Sequence, residues 1–245
     1  MSLHVNRVHK RYDSKQVLNN ISFTVEAHEF VCILGHSGCG KSTLLNLIAG
    51  YLQADEGNIE FNRAPIKGPA KSRGVVFQEH ALFPWYTVME NISFGPEVQG
   101  VPKSKARENA RNYLKLIGLE QYADHYPHQL SGGMKQRVGI ARALAGEPEV
   151  LLMDEPFGAL DILTRETMQR ELLKIWMELR PMVIFITHSI SEAIYLADKI
   201  IVMKDGGISE MYKLTMARPR SKHDPEFIRL QEEIEALLID EGAHV

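Results

Sequence analysis

The chain has 245 residues, 44% hydrophobic, 24% charged and 8% aromatic, with a formal net charge of −3 and a pI near 6.4. These are ordinary globular values, and the length fits one α/β domain with an inserted subdomain, or two small domains, without a disulfide framework. A slightly acidic balance without Lys/Arg-rich blocks argues against nucleic acid or an anionic membrane surface as the main partner. Only two cysteines, Cys32 and Cys39, are present, which points to a reducing compartment. The N-terminal stretch MSLHVNRVHKRYDS has no apolar core of signal-peptide length. Apolar runs such as FVCIL fall far below the roughly 18 residues needed to span a bilayer, so a water-soluble, cytosolic chain is expected.

In chain order, FVCILG is a continuous apolar run followed by the helix start LLNLIAG. From Asp55 to Val76, Gly, Pro and short alternating segments such as NIEFN read as antiparallel strand and turn material beside the main sheet. Between about Phe83 and Glu149 no strand-like run occurs, while NARNYLKLIGL and KQRVGIARALAG read as helices of an insert. VLLMDEP, MVIFITH and KIIVM are three more continuous apolar runs, the pattern of strands buried on both faces of a parallel sheet. Between the first two, Met168, Leu172, Ile175, Trp176 and Leu179 recur at helical spacing. The last segment opens with Asp224 as N-cap and Pro225 at the first helical position; Phe227, Leu230, Ile234 and Leu237 then share one face, predicting a docked terminal helix. The fold class is α/β.

The strongest chemical signal is GHSGCGKST. Gly35, Gly40, Lys41 and Ser42 satisfy G-x-x-x-x-G-K-[ST] directly after a strand and before a helix, the context this motif requires. Glycines let the stretch Gly35, His36, Ser37, Gly38, Cys39 and Gly40 turn its N–H groups around phosphate oxygens, with Thr43 inside the helix start. Lys41 reaches the terminal phosphates and the Ser42 hydroxyl can bind Mg²⁺. His36 and Cys39 read as backbone donors rather than a metal pair, since two residues make no zinc site. In VLLMDEP, Asp154 and Glu155 emerge at a strand's carboxyl end, where α/β sheets bind ligands. One carboxylate can hold Mg²⁺ through water and the next can polarise an attacking water, the division of labour of phosphoryl transfer. His188 ends the strand MVIFITH and reads as a γ-phosphate contact.

LSGGMKQR, Leu130 to Arg137, is a Ser-Gly-Gly turn feeding a helix, with Ser131 as N-cap or phosphate ligand beside Gly132 and Gly133. With it the chain resembles the ATP-binding cassette (ABC) ATPases. GHSGCGKST, VVFQ with Gln78, LSGGMKQR, VLLMDEP, GALD with Asp161 and ITH with His188 follow in that family's order over nearly the whole sequence. The resemblance implies an ATP hydrolase with a P-loop NTPase (RecA-like) core, an antiparallel β subdomain and an inserted α-helical subdomain. The expected bounds are 1–84 and 150–215 for the core, 85–149 for the helical subdomain and 216–245 for a C-terminal tail. It also implies that Tyr12 stacks on adenine, that Gln78 touches Mg²⁺ and the attacking water, and that ATP and Mg²⁺ are the cofactors. Glu155, His188, Gln78 and Lys41 are then the catalytic candidates, and Ser42, Gln78 and Asp154 the metal-side ones.

GPAKSRGVVFQEHALFPWYTVMENISFG, DEPFGALDILTRE and DPEFIRLQEEI are most similar to ATPase subunits of bacterial importers for nitrate, sulfonates and taurine. Two departures are Ser189, where such importers carry Asp, and a short stretch KDGGISEMYKL after the last strand. The implied partners are transmembrane permease subunits, a second copy of the chain and, indirectly, a solute-binding protein, with a peripheral location on the inner face of the membrane and no nucleic acid. An exporter or other ABC complex would keep every motif. A DNA-repair relative would carry a long coiled coil, yet only 90 residues separate Lys41 from Ser131. A P-loop kinase has no reason to carry LSGG. Two further expectations follow from the residues. QEHALFPWY gathers Leu82, Phe83, Pro84, Trp85 and Tyr86 in a docking loop, unless Phe83 and Trp85 simply fill a junction. Two anion-binding helix starts, at Gly40 and Ser131, accompany one set of Lys41, Asp154 and Glu155, which calls for a dimer that shares each nucleotide.

Overall fold

The computed structural model describes residues 1–78 and 81–239. Its elements begin with β1 (Ser2–Tyr12), β2 (Lys15–Glu26), β3 (Phe30–Gly35), α1 (Lys41–Ala49), β4 (Glu56–Phe61), β5 (Ala64–Pro65) and β6 (Arg73–Val76). Then come α2 (Val88–Val98), α3 (Lys103–Leu116), α4 (Gly132–Ala145), β7 (Val150–Asp154) and α5 (Ile162–Leu179). The chain closes with β8 (Met182–Thr187), α6 (Ile190–Leu196), β9 (Lys199–Lys204), β10 (Gly207–Lys213) and α7 (Pro225–Ile239). Among the described residues no helix is long and apolar enough to cross a membrane. Residues 1–70 and those from Met182 onward form one compact unit, and Lys71–Pro181 a second.

In the first unit β3 lies between β8 and β9, parallel to both, with Leu34 opposite Thr187 and Gly35 opposite Met203. β10 runs antiparallel beside β9. Every residue of β3 and β8 is buried, which explains why these strands read as unbroken apolar runs. β1 pairs antiparallel with β2 and with β4, and there polarity alternates: Leu3 and Val5 point into the core while His4 hydrogen-bonds Ser2 and Thr24. The terminal helix α7 starts at Pro225, with the Asp224 carboxylate accepting from Glu226 N at 2.8 Å. Phe227 and Ile234 are buried and Leu230 and Leu237 half-buried, the face that the spacing predicts.

In the second unit β6 runs parallel to β7, with Val76 opposite Met153. This corrects one expectation: Arg73–Val76 belongs to a parallel pair with β7, not to the antiparallel material of Asp55–Phe61 and Ala64–Pro65. RGVV is only four residues long, too short to carry a period, so its partner could not be read locally. Helices α2, α3 and α4 fill the stretch between these strands. The start of α2 is a capping box. Thr87 Oγ1 accepts from Glu90 N at 3.2 Å and the Glu90 carboxylate accepts from Thr87 N at 3.0 Å. The Thr87 N–H in turn holds the Glu90 carboxyl below the usual carboxylate range.

Candidate functional site

In the first unit β3 delivers Gly35 to a loop that only glycine permits at two points. A Cβ on Gly35 would lie 2.4 Å from Met203 O and 2.7 Å from Cys39 Sγ. Gly40 has φ +103°, and a Cβ there would lie 2.7 Å from Val17 O, so both strain and contact exclude a side chain. Lys41 opens α1, is buried, and donates from Nζ to Gly35 O and His36 O, each at 2.9 Å. The ammonium thus folds the loop around itself. Gly40 caps α1 without a side chain, which leaves the N–H groups of the first turn and the positive end of the helix for an anion. Ser42 is exposed at this mouth and Thr43 half-buried. Ser37 and Gly38 line a cavity of about 700 Å³ that the loop shares with Leu238 and Ile239 of α7, and His36 Nε2 lies 3.0 Å from Leu238 O. Burial pushes the Cys39 thiol up, outweighing the nearby Lys41 charge, so it stays a neutral packing group.

His188 directly follows Thr187, which pairs with Leu34, so it leaves the sheet at the same carboxyl edge as the loop and is exposed. The buried Thr187 hydroxyl donates to Glu192 Oε2 at 2.6 Å. Ser189 caps α6, its hydroxyl accepting from Glu192 N at 3.3 Å; the importer Asp at this position and the Ser found here are both good caps. Tyr12 ends β1 with 45% of its surface exposed, and Lys10 Nζ lies 5.9 Å from its ring centre.

In the second unit β7 ends at Asp154, and Glu155 turns sharply with φ +40° while its carbonyl accepts from Gly158 N at 3.1 Å. Both carboxylates are half-buried. Parallel pairing sends Gln78 out of β6 at the same edge, where its Nε2 lies 3.7 Å from the Cβ position of Gly158. The structure therefore brings Gln78 to the turn that holds Glu155. Glu79 and His80, part of the expected docking stretch, lie outside the described residues. Ser131 caps α4, its Oγ accepting from Met134 N at 3.3 Å, and both Ser131 and Gly132 are exposed. Gly133 is buried, and a Cβ on it would lie 2.8 Å from Thr164 Cγ2 at the start of α5.

Sequence reasoning passed over Ile162 and Leu163, which stand 73% and 75% exposed just after Asp161. They fall off the helical stripe begun by Met168, and two apolar residues off a stripe were the available signal. Asp161 itself caps α5, accepting from Thr164 N at 3.0 Å, and the Thr164 hydrogen bonds hold its carboxyl below the usual range. Buried Asn91 and half-buried Arg142 were also missed, because a lone polar residue inside a helix carries no motif.

The glycine loop closed around its lysine, and the strand-end carboxylates beside a glutamine, all lie within a stretch that a family pattern matches. The ABC transporter family pattern fits residues 18–158. The chain belongs to the ABC transporter family. A taurine import ATP-binding protein of Chromobacterium violaceum is 45% identical to this ABC protein, with 95% of this chain and 94% of that one covered. A bicarbonate transport ATP-binding protein of Synechocystis is 44% identical, with 93% and 84% covered. The dimeric post-hydrolysis structure of an ATP-binding cassette bound to ADP and Pi superposes with a TM-score of 0.77 at 34% identity, covering 88% of this chain and all of that one. The chain is thus an ABC-type ATP hydrolase with the P-loop NTPase fold.

Proposed function

We propose that this chain energises import of a small anionic or zwitterionic solute, of the nitrate, sulfonate or taurine kind, through a separate membrane permease. The observation that carries the reading is the similarity over nearly the full length to import and transport ATPases for taurine and bicarbonate. The solute would be chosen by the permease and a solute-binding protein, and the chain would sit on the inner face of the membrane through the permease.

In this reading the N–H groups from Gly35 to Thr43 hold the phosphates of ATP, and Lys41 exchanges its two loop carbonyls for β- and γ-phosphate oxygens. Tyr12, exposed at a strand end, stacks on the adenine. Glu155 takes the proton of the attacking water, Gln78 orients that water, and His188 holds the γ-phosphate as charge develops. Ser42, Gln78 and Asp154 offer a hydroxyl, an amide oxygen and a carboxylate, hard oxygen donors of the kind Mg²⁺ takes. Bound there, Mg²⁺ supplies positive charge that offsets the negative charge of the phosphates.

Ser131, Gly132 and Gly133 hold the γ-phosphate of the nucleotide seated on a second copy of the chain. The exposure of Ser131 and Gly132, and the exposed Ile162 and Leu163 close by in sequence to Thr164, which faces Gly133, support a surface that another copy covers. The loop Leu82–Tyr86 is the permease dock. Phe83 packs on Phe94 at 4.7 Å between ring centres, while Trp85 remains 67% exposed. Phe83 thus packs on a neighbouring ring while Trp85 is left for a partner.

Reconstitution tests this. With the permease and solute-binding protein in sealed vesicles, ATP outside and taurine, nitrate or bicarbonate inside the binding protein's compartment, the solute should move toward the ATP side only when the chain is present. Movement in the other direction overturns the import reading.

A further inference from the structure

Arg142, in the last turn of α4, points away from its own helix into the loop that follows β6. Its Nη1 donates to Ala81 O at 2.6 Å, and its guanidinium carbon lies 5.5 Å from the centre of the Phe83 ring. Burial pulls its pKa below the ordinary arginine value, as expected for a charge taken partly out of water. The part of the loop from Phe83 to Thr87 is tied to α2 by hydrogen bonds. Asn91, fully buried in α2, accepts from Phe83 N at 2.9 Å and donates to Phe83 O, Tyr86 O and Thr87 O at 3.0 to 3.1 Å. One amide thus ties four backbone groups, and a buried amide so occupied resists any change of loop shape. Phe83 also contacts the rings of Trp85 and Tyr86 at 5.7 and 5.6 Å.

These contacts make a short mechanical chain. Trp85 stands in solvent, Phe83 lies beneath it, Arg142 holds Phe83 and Ala81, and α4 runs back from Arg142 to its N-cap Ser131. That distance is 11 residues, about 16 Å of continuous helix at 1.5 Å per residue.

We propose that Arg142 is a positioning residue that locks the aromatic loop to α4, so that a permease pressing on Trp85 moves the Ser131 turn. The proposal rests on the reading of this loop as the permease dock. A push delivered to a loop held only by flexible chain would be absorbed there. The arginine bond and the ring face beneath it transfer the push to the helix instead. Linkage makes the effect reciprocal: nucleotide captured at Ser131 must alter the surroundings of Trp85. Asn91 has a separate part, keeping the shape of the loop, so the two residues should fail differently.

The reciprocal arm can be read without a permease. The chain has two tryptophans; Trp176 is 2% exposed, so iodide quenching of tryptophan emission reports on Trp85. Magnesium and a non-hydrolysable ATP analogue should change that quenching in the wild-type chain. The change should vanish in Arg142→Gln and persist in Arg142→Lys, which keeps a charged donor for Ala81 O, with analogue affinity unaltered in both. In vesicles, Arg142→Gln should still co-purify with the permease while permease stimulation of hydrolysis falls by about tenfold, the order expected for loss of one charge-assisted hydrogen bond. Asn91→Ala should instead lose co-purification. A wild-type quenching response together with full stimulation in Arg142→Gln overturns the proposal. Should Arg142→Gln fail to fold, Phe83→Leu removes the ring beneath the guanidinium, and a wild-type quenching response in it overturns the proposal equally. Trp85→Ala separates the two readings. Wild-type permease binding in that variant defeats the docking surface, whereas lost binding there with full stimulation in Arg142→Gln defeats only the link.

Discussion

The two helix starts that can hold phosphate, Gly40 before α1 and Ser131 before α4, are built in opposite ways. Gly40 has a left-handed backbone and no side-chain cap, and its loop is closed around a buried lysine bonded to two loop carbonyls. Ser131 has an extended backbone, caps its own helix with Oγ, and stands exposed with Gly132. The first is a finished cradle whose shape comes from its own unit, since Met203, Cys39 and Val17 leave no room for a Cβ. On the proposed reading the second is a half-site, with Ser131 and Gly132 exposed at a helix start. A helix terminus alone attracts an anion weakly; one wrapped by a loop and a lysine holds it. If the proposed sharing holds, the Ser131 turn acts only on a nucleotide already held elsewhere.

The largest expected effect falls on the chemistry such a shared nucleotide would undergo. Glu155→Gln should retain ATP binding and lose about 10²–10⁴ in turnover, roughly 3 to 5 kcal/mol of barrier, as for removal of a positioned general base. Steady-state hydrolysis with the permease present checks it, and near-normal turnover would take Glu155 out of the reaction.

Mixed dimers sharpen the comparison directly. With Lys41→Ala on one copy and Ser131→Arg on the other, sharing leaves one site intact and one doubly damaged, so activity should survive. With both changes on the same copy, each site carries one defect and activity should be lost. The reverse pattern would mean that cradle and half-site of one chain serve the same nucleotide.

A smaller effect concerns what holds the half-site in place. Gly133→Ala puts a methyl 2.8 Å from Thr164 Cγ2, an overpacking that should cost about 1–3 kcal/mol in a thermal unfolding measurement. Thr164→Ser removes that methyl and should restore most of the loss. No restoration would mean that the α4 start is not set by this contact.

A last pair of changes separates the two caps, with the smallest effect expected at Ser131. Ser131→Ala removes the hydrogen bond to Met134 N and should lower stability by about 1 kcal/mol. At Gly40 the usual rule inverts: Gly40→Ser supplies a better capping side chain, yet should abolish nucleotide binding because φ +103° and Val17 O reject its Cβ. Isothermal titration with ATP decides this, and normal affinity in Gly40→Ser would break the contrast drawn above.

Much of the fold and the candidate site could be read from contiguous residues. Gly35 to Thr43, Ser131 to Gly133 and the pair Asp154 and Glu155 are each short runs in which neighbouring residue types set backbone turns and place donors. The strands β3, β7, β8 and β9 were legible because burial on both faces leaves an unbroken apolar run. The terminal helix was legible because Phe227 and Ile234 lie seven residues apart on one buried face. The placement of Gln78 was not, since it depends on RGVV pairing with a strand more than 70 residues later. Nor could the phosphate-loop residue His36 be seen to meet Leu238, 202 residues away.

The sequence by itself determined which phosphate chemistry is available, because a glycine loop, a lysine and a helix start act through backbone geometry that adjacent residues dictate. Only the tertiary structure decided how that chemistry is mounted. It chose Met203 and Val17 as the surfaces that make Gly35 and Gly40 obligatory, crowded Gly133 with Thr164, put Ile162 and Leu163 in solvent, and set Asn91 and Arg142 against the aromatic loop. Such roles arise when close packing brings distant segments within a few ångströms. No local pattern marks them, because an asparagine or arginine has the same neighbours in sequence whether or not it has found its partners.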